Sequence, residues 1–182
     1  MTTEVDFAVL MRFCALSQIR LKWTLSALWT DYGWSEADVL GLSRLLLSMG
    51  YECDINRVEG TVCFSQRIVF YDESLLVKRM PNVHVEVFSA LRSTNDYGLH
   101  RVGSVDKPVM VLAEYQTHGK GQYDRRWDAA FAANILMSCA WVSPLVRDWR
   151  GFTQDLGVLI CAQLNRMYTL TTFHCKYPND IM

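Results

Sequence analysis

Five apolar residues in a row, Val109-Met110-Val111-Leu112-Ala113, run straight into a polar segment, Glu114-Tyr115-Gln116-Thr117-His118-Gly119-Lys120-Gly121-Gln122-Tyr123-Asp124-Arg125-Arg126-Trp127. The apolar run reads as a buried strand. A chain with such a strand must build a sheet around it, and the sheet's edge then carries the loop. The loop holds two glycines, the basic side chains His118, Lys120, Arg125 and Arg126, and a tryptophan. Glycine lets backbone N–H groups come close to a ligand. Lys120, Arg125 and Arg126 can neutralise phosphate or carboxylate. Trp127 offers a face for a ring or a cover for a site. A plain surface turn has the same ingredients, so the loop alone does not decide between the two.

Composition narrows the class. The 182 residues fit one large or two small domains; 51% are apolar and 20% charged, enough for a core and too few charges for disorder. A net charge of −1 gives no global basic field to attract nucleic acid. Cys14, Cys53, Cys63, Cys139, Cys161 and Cys175 contain no C-x-x-C spacing, and most lie in apolar runs. They read as reduced core thiols of an intracellular, cytoplasmic protein. Glu4 and Asp6 before Phe7 argue against a signal peptide. The longest apolar run, 129–146, contains Asn134, Ser138, Ser143 and Pro144, so a buried strand explains it better than a membrane span.

Residues 1–66 read as a small helical domain with a hairpin. Phe7, Leu10, Met11 and Cys14 recur at helical spacing over residues 5–17. A second short helix is expected from Trp23 to Thr30. Ser35 starts a third, with Asp38 as the acid of a capping box. Its inward face is Val39, Leu42, Leu45, Leu46 and Met49, and Gly50 ends it. Tyr51–Ile55 and Thr61–Phe64 are β-prone and flank a turn, Asn56–Gly60. Three helices and a hairpin outline a winged helix-turn-helix. Its third helix opens Ser35-Glu36-Ala37-Asp38, which is acidic, whereas base readout needs Arg, Lys, Asn or Gln there. Residues 1–80 hold eight Lys+Arg against ten Asp+Glu, a net of −2. Any DNA contact should therefore be weak.

Residues 67–82 read as a linker with a short helix from Asp72 to Met80, stopped by Pro81. Val83-His84-Val85-Glu86-Val87 then alternates as a strand. Ser93-Thr94-Asn95-Asp96 follows it. Ser93 with Asp96 fits a capping box, and a helix starting here would turn free N–H groups toward the strand end. Asn134 to Val142 reads as another buried strand. Thr153 to Met167 reads as an amphipathic helix with Leu156, Leu159, Ile160 and Leu164 inward. Thr172-Phe173-His174-Cys175-Lys176-Tyr177 alternates as a strand ended by Pro178, and delivers Lys176 beside Asn179 and Asp180.

Four separated segments now stand in order: Arg92-Ser93-Thr94-Asn95-Asp96-Tyr97, the 114–127 loop, Ala133-Asn134, and Lys176-Tyr177-Pro178-Asn179-Asp180. Together they resemble the catalytic domain of biotin protein ligases over residues 83–182. That family carries Ser-Thr-Asn, a Glu-Tyr-Gln…Gly-Arg-Gly loop with a tryptophan, an Ala-Asn strand start and Lys-Trp-Pro-Asn-Asp. Some bacterial members add an N-terminal winged helix and repress biotin-synthesis genes. The resemblance implies an α+β fold, a winged-helix-like domain followed by a class II synthetase-like biotin/lipoate ligase domain. It implies that biotin and ATP give biotinyl-adenylate, with Mg2+ on the triphosphate, and that biotin passes to a lysine of biotin carboxyl carrier protein. It also allows a homodimer.

By the same resemblance Ser93, Thr94, Asn95, Gln116, Lys120, Gly121, Gln122 and Lys176 would hold biotin. Gly119, Lys120, Gly121, Arg125, Trp127 and Asn179 would hold ATP or the adenylate. Lys176 would be catalytic, a fixed cation where negative charge gathers between carboxylate and α-phosphate. No acidic cluster identifies metal ligands.

Departures from the family qualify this. The basic loop reads Gly-Lys-Gly-Gln-Tyr-Asp, so Gln122 stands where an adenylate-holding arginine is usual, and Asp124 adds negative charge near phosphate. Tyr177 replaces a tryptophan. Family members continue past the position of Met182, so a truncated ligase domain with exposed sheet edges is expected, and with it doubtful activity. Two alternatives stay open: a biotin-responsive repressor without ligase activity, and a lipoate or octanoyl transferase relative.

Overall fold

A computed structural model describes residues 6–121, 125–143, 150–169, 171–177 and 180–182. They fall into two compact units, Met1–Val142 and Ser143–Met182.

The first unit begins with helix α1 (Phe7–Ile19), which Asp6 caps by accepting the N–H groups of Ala8 and Val9 at 3.0 and 3.2 Å. Its buried face is Leu10, Phe13, Cys14 and Leu16. Strand β1 (Lys22–Thr24) and helix α2 (Leu25–Tyr32) follow. The second helix thus starts two residues later than the apolar pattern suggests. Trp23 is taken by the sheet, where it pairs with Val62, and its indole N–H donates to the carbonyls of Arg20 and Leu16 at 2.9 and 3.2 Å. Helix α3 (Glu36–Ser48) has the expected capping box between Ser35 and Asp38. Val39 and Leu46 are fully buried, and Leu42, Leu45 and Met49 pack partly buried against the same core. Strands β2 (Cys53–Asn56) and β3 (Thr61–Phe64) form the hairpin, and the sheet order is β1-β3-β2. Asn56 Oδ1 accepts from the N–H groups of Val58 and Glu59, and Gly60 turns the chain at φ 62°. Phe13, Trp34 and Phe64 pack ring against ring at the centre, with centroids 5.1–5.5 Å apart.

Asp72 caps helix α4 (Glu73–Arg79). A second sheet then forms from β4 (His84–Phe88), β5 (Val109–Ala113) and β8 (Leu136–Ala140), with β4 and β5 parallel and β8 antiparallel to β5. Helix α5 (Thr94–Arg101) connects the parallel pair and packs on β5 and β8. Glu86 on β4 fixes that helix: it accepts from Arg101 Nε at 2.6 Å and from the Tyr97 hydroxyl at 2.7 Å, with His84 Nε2 at 2.8 Å. Burial opposes the Glu86 charge, but these three partners outweigh it and hold the carboxyl below its usual range. Two short strands, β6 (Gly119–Lys120) and β7 (Arg126–Trp127), pair as a hairpin within the loop after β5.

β5 is the buried central strand that its composition implies. β8 is not the buried strand expected. It is an edge strand, bonded only to β5 among the described strands, and Met137 and Cys139 are exposed on its outer face.

The second unit holds helix α6 (Phe152–Met167) and a hairpin of β9 (Cys175–Lys176) and β10 (Asp180–Ile181). Two expectations need correcting here. Leu156, Leu159 and Ile160 are exposed and only Cys161 is buried on α6, because the hairpin it packs against is too small to cover an apolar stripe. The strand expected over 172–177 shrinks to two residues, because its pairing extends only one residue pair further, His174 and Met182, which exchange two backbone bonds at 2.9 Å. The cysteines likewise divide: all six are free, but Cys139 and Cys175 are exposed rather than core. Among the described residues no helix is long and apolar enough to cross a membrane.

Candidate functional site

The end of β5 and the start of α5 are drawn together by backbone bonds. Leu91 donates to the Tyr115 carbonyl at 3.0 Å, Thr117 to Leu91 at 2.9 Å, and His118 to Arg92 at 2.9 Å. The two loops therefore run side by side like strands, and a cleft of about 220 Å³ opens against them. Its walls carry Ser93, Thr94, Asn95, Gln116, Lys120 and Trp127, six of the residues singled out from sequence, together with Ile135, Leu136, Met137 and Ser138 of the β8 segment.

Ser93 and Thr94 are almost wholly buried. Ser93 Oγ caps α5 by accepting the Asp96 N–H at 3.3 Å. The reciprocal half of the expected capping box is replaced, since the Asp96 carboxylate holds Lys120 Nζ at 2.7 Å instead. That pair is solvent-exposed and worth little by itself, so Lys120 can exchange it for another anion.

Thr94 sets the polarity of the cleft. Its backbone N–H donates to the Gln116 side chain at 2.7 Å, and since an N–H only donates, the atom it meets is the amide oxygen. The same oxygen lies 3.1 Å from Thr94 Oγ1, which must donate to it. Ser138 Oγ lies 2.8 Å from Thr94 Oγ1, so Ser138 is the donor of that pair. The chain of bonds leaves Gln116 Nε2 with hydrogens to give and Ser138 Oγ with lone pairs to accept. The cleft thus offers one donor and one acceptor from buried or half-buried groups.

Gly119 is required by this packing. A Cβ there would run into the Trp127 carbonyl and crowd Gln116 Nε2. Gly121 donates its N–H to the Arg125 carbonyl at 2.7 Å and closes the hairpin. Arg125 is exposed, and Trp127 is 58% exposed at the rim, a cover more than a core residue. His118 is also exposed, bonded to Thr117 Oγ1 at 2.9 Å. Gln122 and Asn179 lie outside the described residues. Lys176 belongs to the second unit, where it meets Asp180 at 3.7 Å with its side chain 61% exposed.

Two contributors were not singled out from sequence. Ser138 was legible only as a polar break in an apolar run. Glu114, buried at the end of β5, accepts the Tyr71 N–H at 2.7 Å and so ties the segment before α4 to the sheet. Burial pushes its carboxyl up, against the pull of that N–H. Its place beside the loop gave no signal of burial.

No family model matches the chain. It is 28% identical over 154 residues to the bifunctional ligase/repressor BirA of Salmonella typhimurium strain LT2, which covers 78% of this chain and 47% of that protein. It is 30% identical over 156 residues to the bifunctional ligase/repressor BirA of Escherichia coli strain K12, covering 79% of this chain and 47% of the relative. Among solved structures, it is similar to the biotin acetyl coenzyme A carboxylase synthetase of Helicobacter pylori with bound biotinylated ATP (TM-score 0.46, 23% identity, 55% of this chain and 49% of that one). It is also similar to the biotin protein ligase of Leishmania major in complex with biotin (TM-score 0.39, 23% identity, 56% and 46%). The chain spans about half the length of the curated relatives it matches, and over that span it is similar to these bifunctional ligase/repressors.

Proposed function

We propose that the chain carries the biotin-recognising part of a biotin protein ligase, which activates biotin with ATP to biotinyl-adenylate and passes it to a lysine of biotin carboxyl carrier protein. The observation that carries this reading is the cleft's paired polarity. A cyclic urea has one carbonyl to accept from Gln116 Nε2 and N–H groups to give to Ser138 Oγ. At about 220 Å³ the cleft suits a small head group and is too small for a whole nucleotide. ATP would lie outside it, against Gly119, Lys120, Gly121, Arg125 and Trp127, with Lys120 giving up Asp96 for phosphate. Asn95 and Ser93 complete the biotin wall, while Gln122 and Asn179 are assigned by family resemblance alone. Lys176 is the proposed catalytic cation, stabilising charge that develops as biotin's carboxylate attacks the α-phosphate and pyrophosphate leaves. Among the described residues no group of three His, Cys, Asp or Glu stands together to hold a metal, so no step is assigned to protein-bound Mg2+.

For the first 66 residues we propose a winged helix with little affinity for DNA. Residues 67–82 would link it to the ligase part, 83–182. The three helices, the β2–β3 hairpin and the strand order β1-β3-β2 support the fold. Weak DNA binding is supported by two ion pairs: the hairpin's Arg57 is held by Glu36 at 2.8 Å, and Lys22 by Glu59 at 3.1 Å. Two of the cations that could meet phosphate thus already face carboxylates. These exposed pairs can be exchanged, so it is the net charge of −2 over residues 1–80 that keeps binding weak and its salt dependence shallow.

Calorimetry separates the readings. Biotin should bind the chain, and Gln116→Ala should abolish most of that heat, because it removes the donor and frees Thr94. Binding of lipoate in place of biotin would move the assignment to the transferase relatives. No heat with either ligand would overturn the reading.

A further inference from the structure

Outside the cleft, two thiols face each other in the second unit. Cys161 is buried on α6, Cys175 is exposed on β9, and their sulfurs lie 3.4 Å apart. A disulfide needs about 2.05 Å, so the sulfurs must close by roughly 1.4 Å. The contact is built into the helix. Gly157 stands one turn before Cys161 on the same face, and a Cβ there would lie 2.9 Å from Cys175 Sγ. The absence of a side chain at 157 makes the berth in which the Cys175 sulfur reaches Cys161.

We propose that Cys161 and Cys175 form a reversible disulfide in response to a hydroperoxide. The exposed Cys175 thiolate attacks the peroxide O–O bond, an S–O bond forms, and the departing oxygen leaves as an alcohol or water. Cys161 then attacks the Cys175 sulfur and loses its proton; the S–S bond forms, the S–O bond breaks, and water leaves. Two thiols and one hydroperoxide give one disulfide, one alcohol and one water. Burial and the neighbouring Cys175 push the Cys161 thiol up, which suits it to resolve an oxidised partner and not to meet the oxidant first. Because Cys175 directly precedes Lys176, the bridge would pin β9 to α6. Only this last consequence rests on the reading of Lys176 as the reacting lysine.

The full chain, reduced and then treated with hydrogen peroxide, alkylated and digested, tests this without any ligase assay. A Cys161–Cys175 peptide should appear, lighter by two hydrogens and reversed by dithiothreitol. It should form about tenfold faster than oxidation products of the exposed Cys139, given the neighbouring thiol. Cys161→Ser should leave Cys175 as a dimedone-trappable sulfenic acid, and Gly157→Ala should slow bridging severalfold by displacing the sulfur. Equal oxidation of Cys139 and Cys175 without a bridged peptide would overturn the proposal. So would bridging that Gly157→Ala leaves at the parent rate.

Discussion

Thr94 is almost wholly buried and shares three hydrogen bonds with two other segments, whereas Lys176 is exposed on a two-residue strand and meets Asp180 at 3.7 Å. The first group has its geometry set by a sheet, a helix cap and a loop bridge before any ligand arrives. The second is held by a hairpin that buries almost nothing. Recognition can be local and rigid because a small head group presents few atoms. A cation that must follow charge moving between two substrates gains from a long side chain in water, provided the substrates order it. Under the proposed function, the contrast would assign the ordering cost of binding mostly to the lysine's side of the reaction.

The contrast breaks first at Lys176. In a chimera completed with the remainder of the Escherichia coli relative, Lys176→Ala should lower pyrophosphate exchange by about two to four orders of magnitude, roughly 3–5 kcal/mol of transition-state stabilisation. Biotin affinity should hold within a few-fold. Exchange at parent rates would remove Lys176 from the chemistry. Thr94→Val should do the opposite. It takes away the hydroxyl that orients Gln116 and Ser138, so biotin affinity should fall about tenfold or more, roughly 1.5–3 kcal/mol. An unchanged affinity by titration would show that the buried network is structural only. Ser138→Ala removes just the acceptor, and the loss should be near 1 kcal/mol.

The smallest effect is the most diagnostic of rigidity. Glu86 is held ionised in the folded state, with its carboxyl below the ordinary glutamate value of 4.5. A depressed folded value means its stabilisation is present above that value and fades as pH falls through the folded one. Glu86→Gln should therefore cost about 1 kcal/mol at neutral pH, discounted for the partly exposed Arg101, and should flatten the loss of stability below pH 4.5. Parallel parent and mutant melting curves across that range would mean that α5 is fixed by packing and not by this carboxylate.

Local signals carried far into the structure. The Ser35–Asp38 cap, the Thr61–Phe64 strand, the buried Val109–Ala113 strand and the Ser93 cap all depend on neighbours within a few residues, and all stand where the sequence places them. What failed depended on distant partners. Trp23 went to a strand because Val62 was waiting for it. The apolar stripe of α6 stayed exposed because a period of 3.6 says which residues share a face and not what covers it. Six residues that line the cleft were legible because they lie in two short segments, 92–97 and 114–127. Ser138 was not, since only its pairing opposite Val111 brings its hydroxyl to Thr94.

The fixed sense of the Ser138–Thr94–Gln116 relay also acts as a filter on isosteres. Reversing one bond would require the Gln116 amide to flip, and the Thr94 N–H would then confront an NH2 group. A ligand of opposite polarity would have to turn the Ser138 hydroxyl away from Thr94 and so cost the relay one bond. A cyclic carbonate has the shape of the urea but no N–H, and it would set its ring oxygens against the Ser138 lone pairs. Analogues altered at the ring nitrogens should therefore be rejected far more strongly than analogues altered along the acyl tail. That asymmetry follows from the backbone N–H that fixes the Gln116 amide and from the bond Ser138 must give up to turn toward a ligand acceptor.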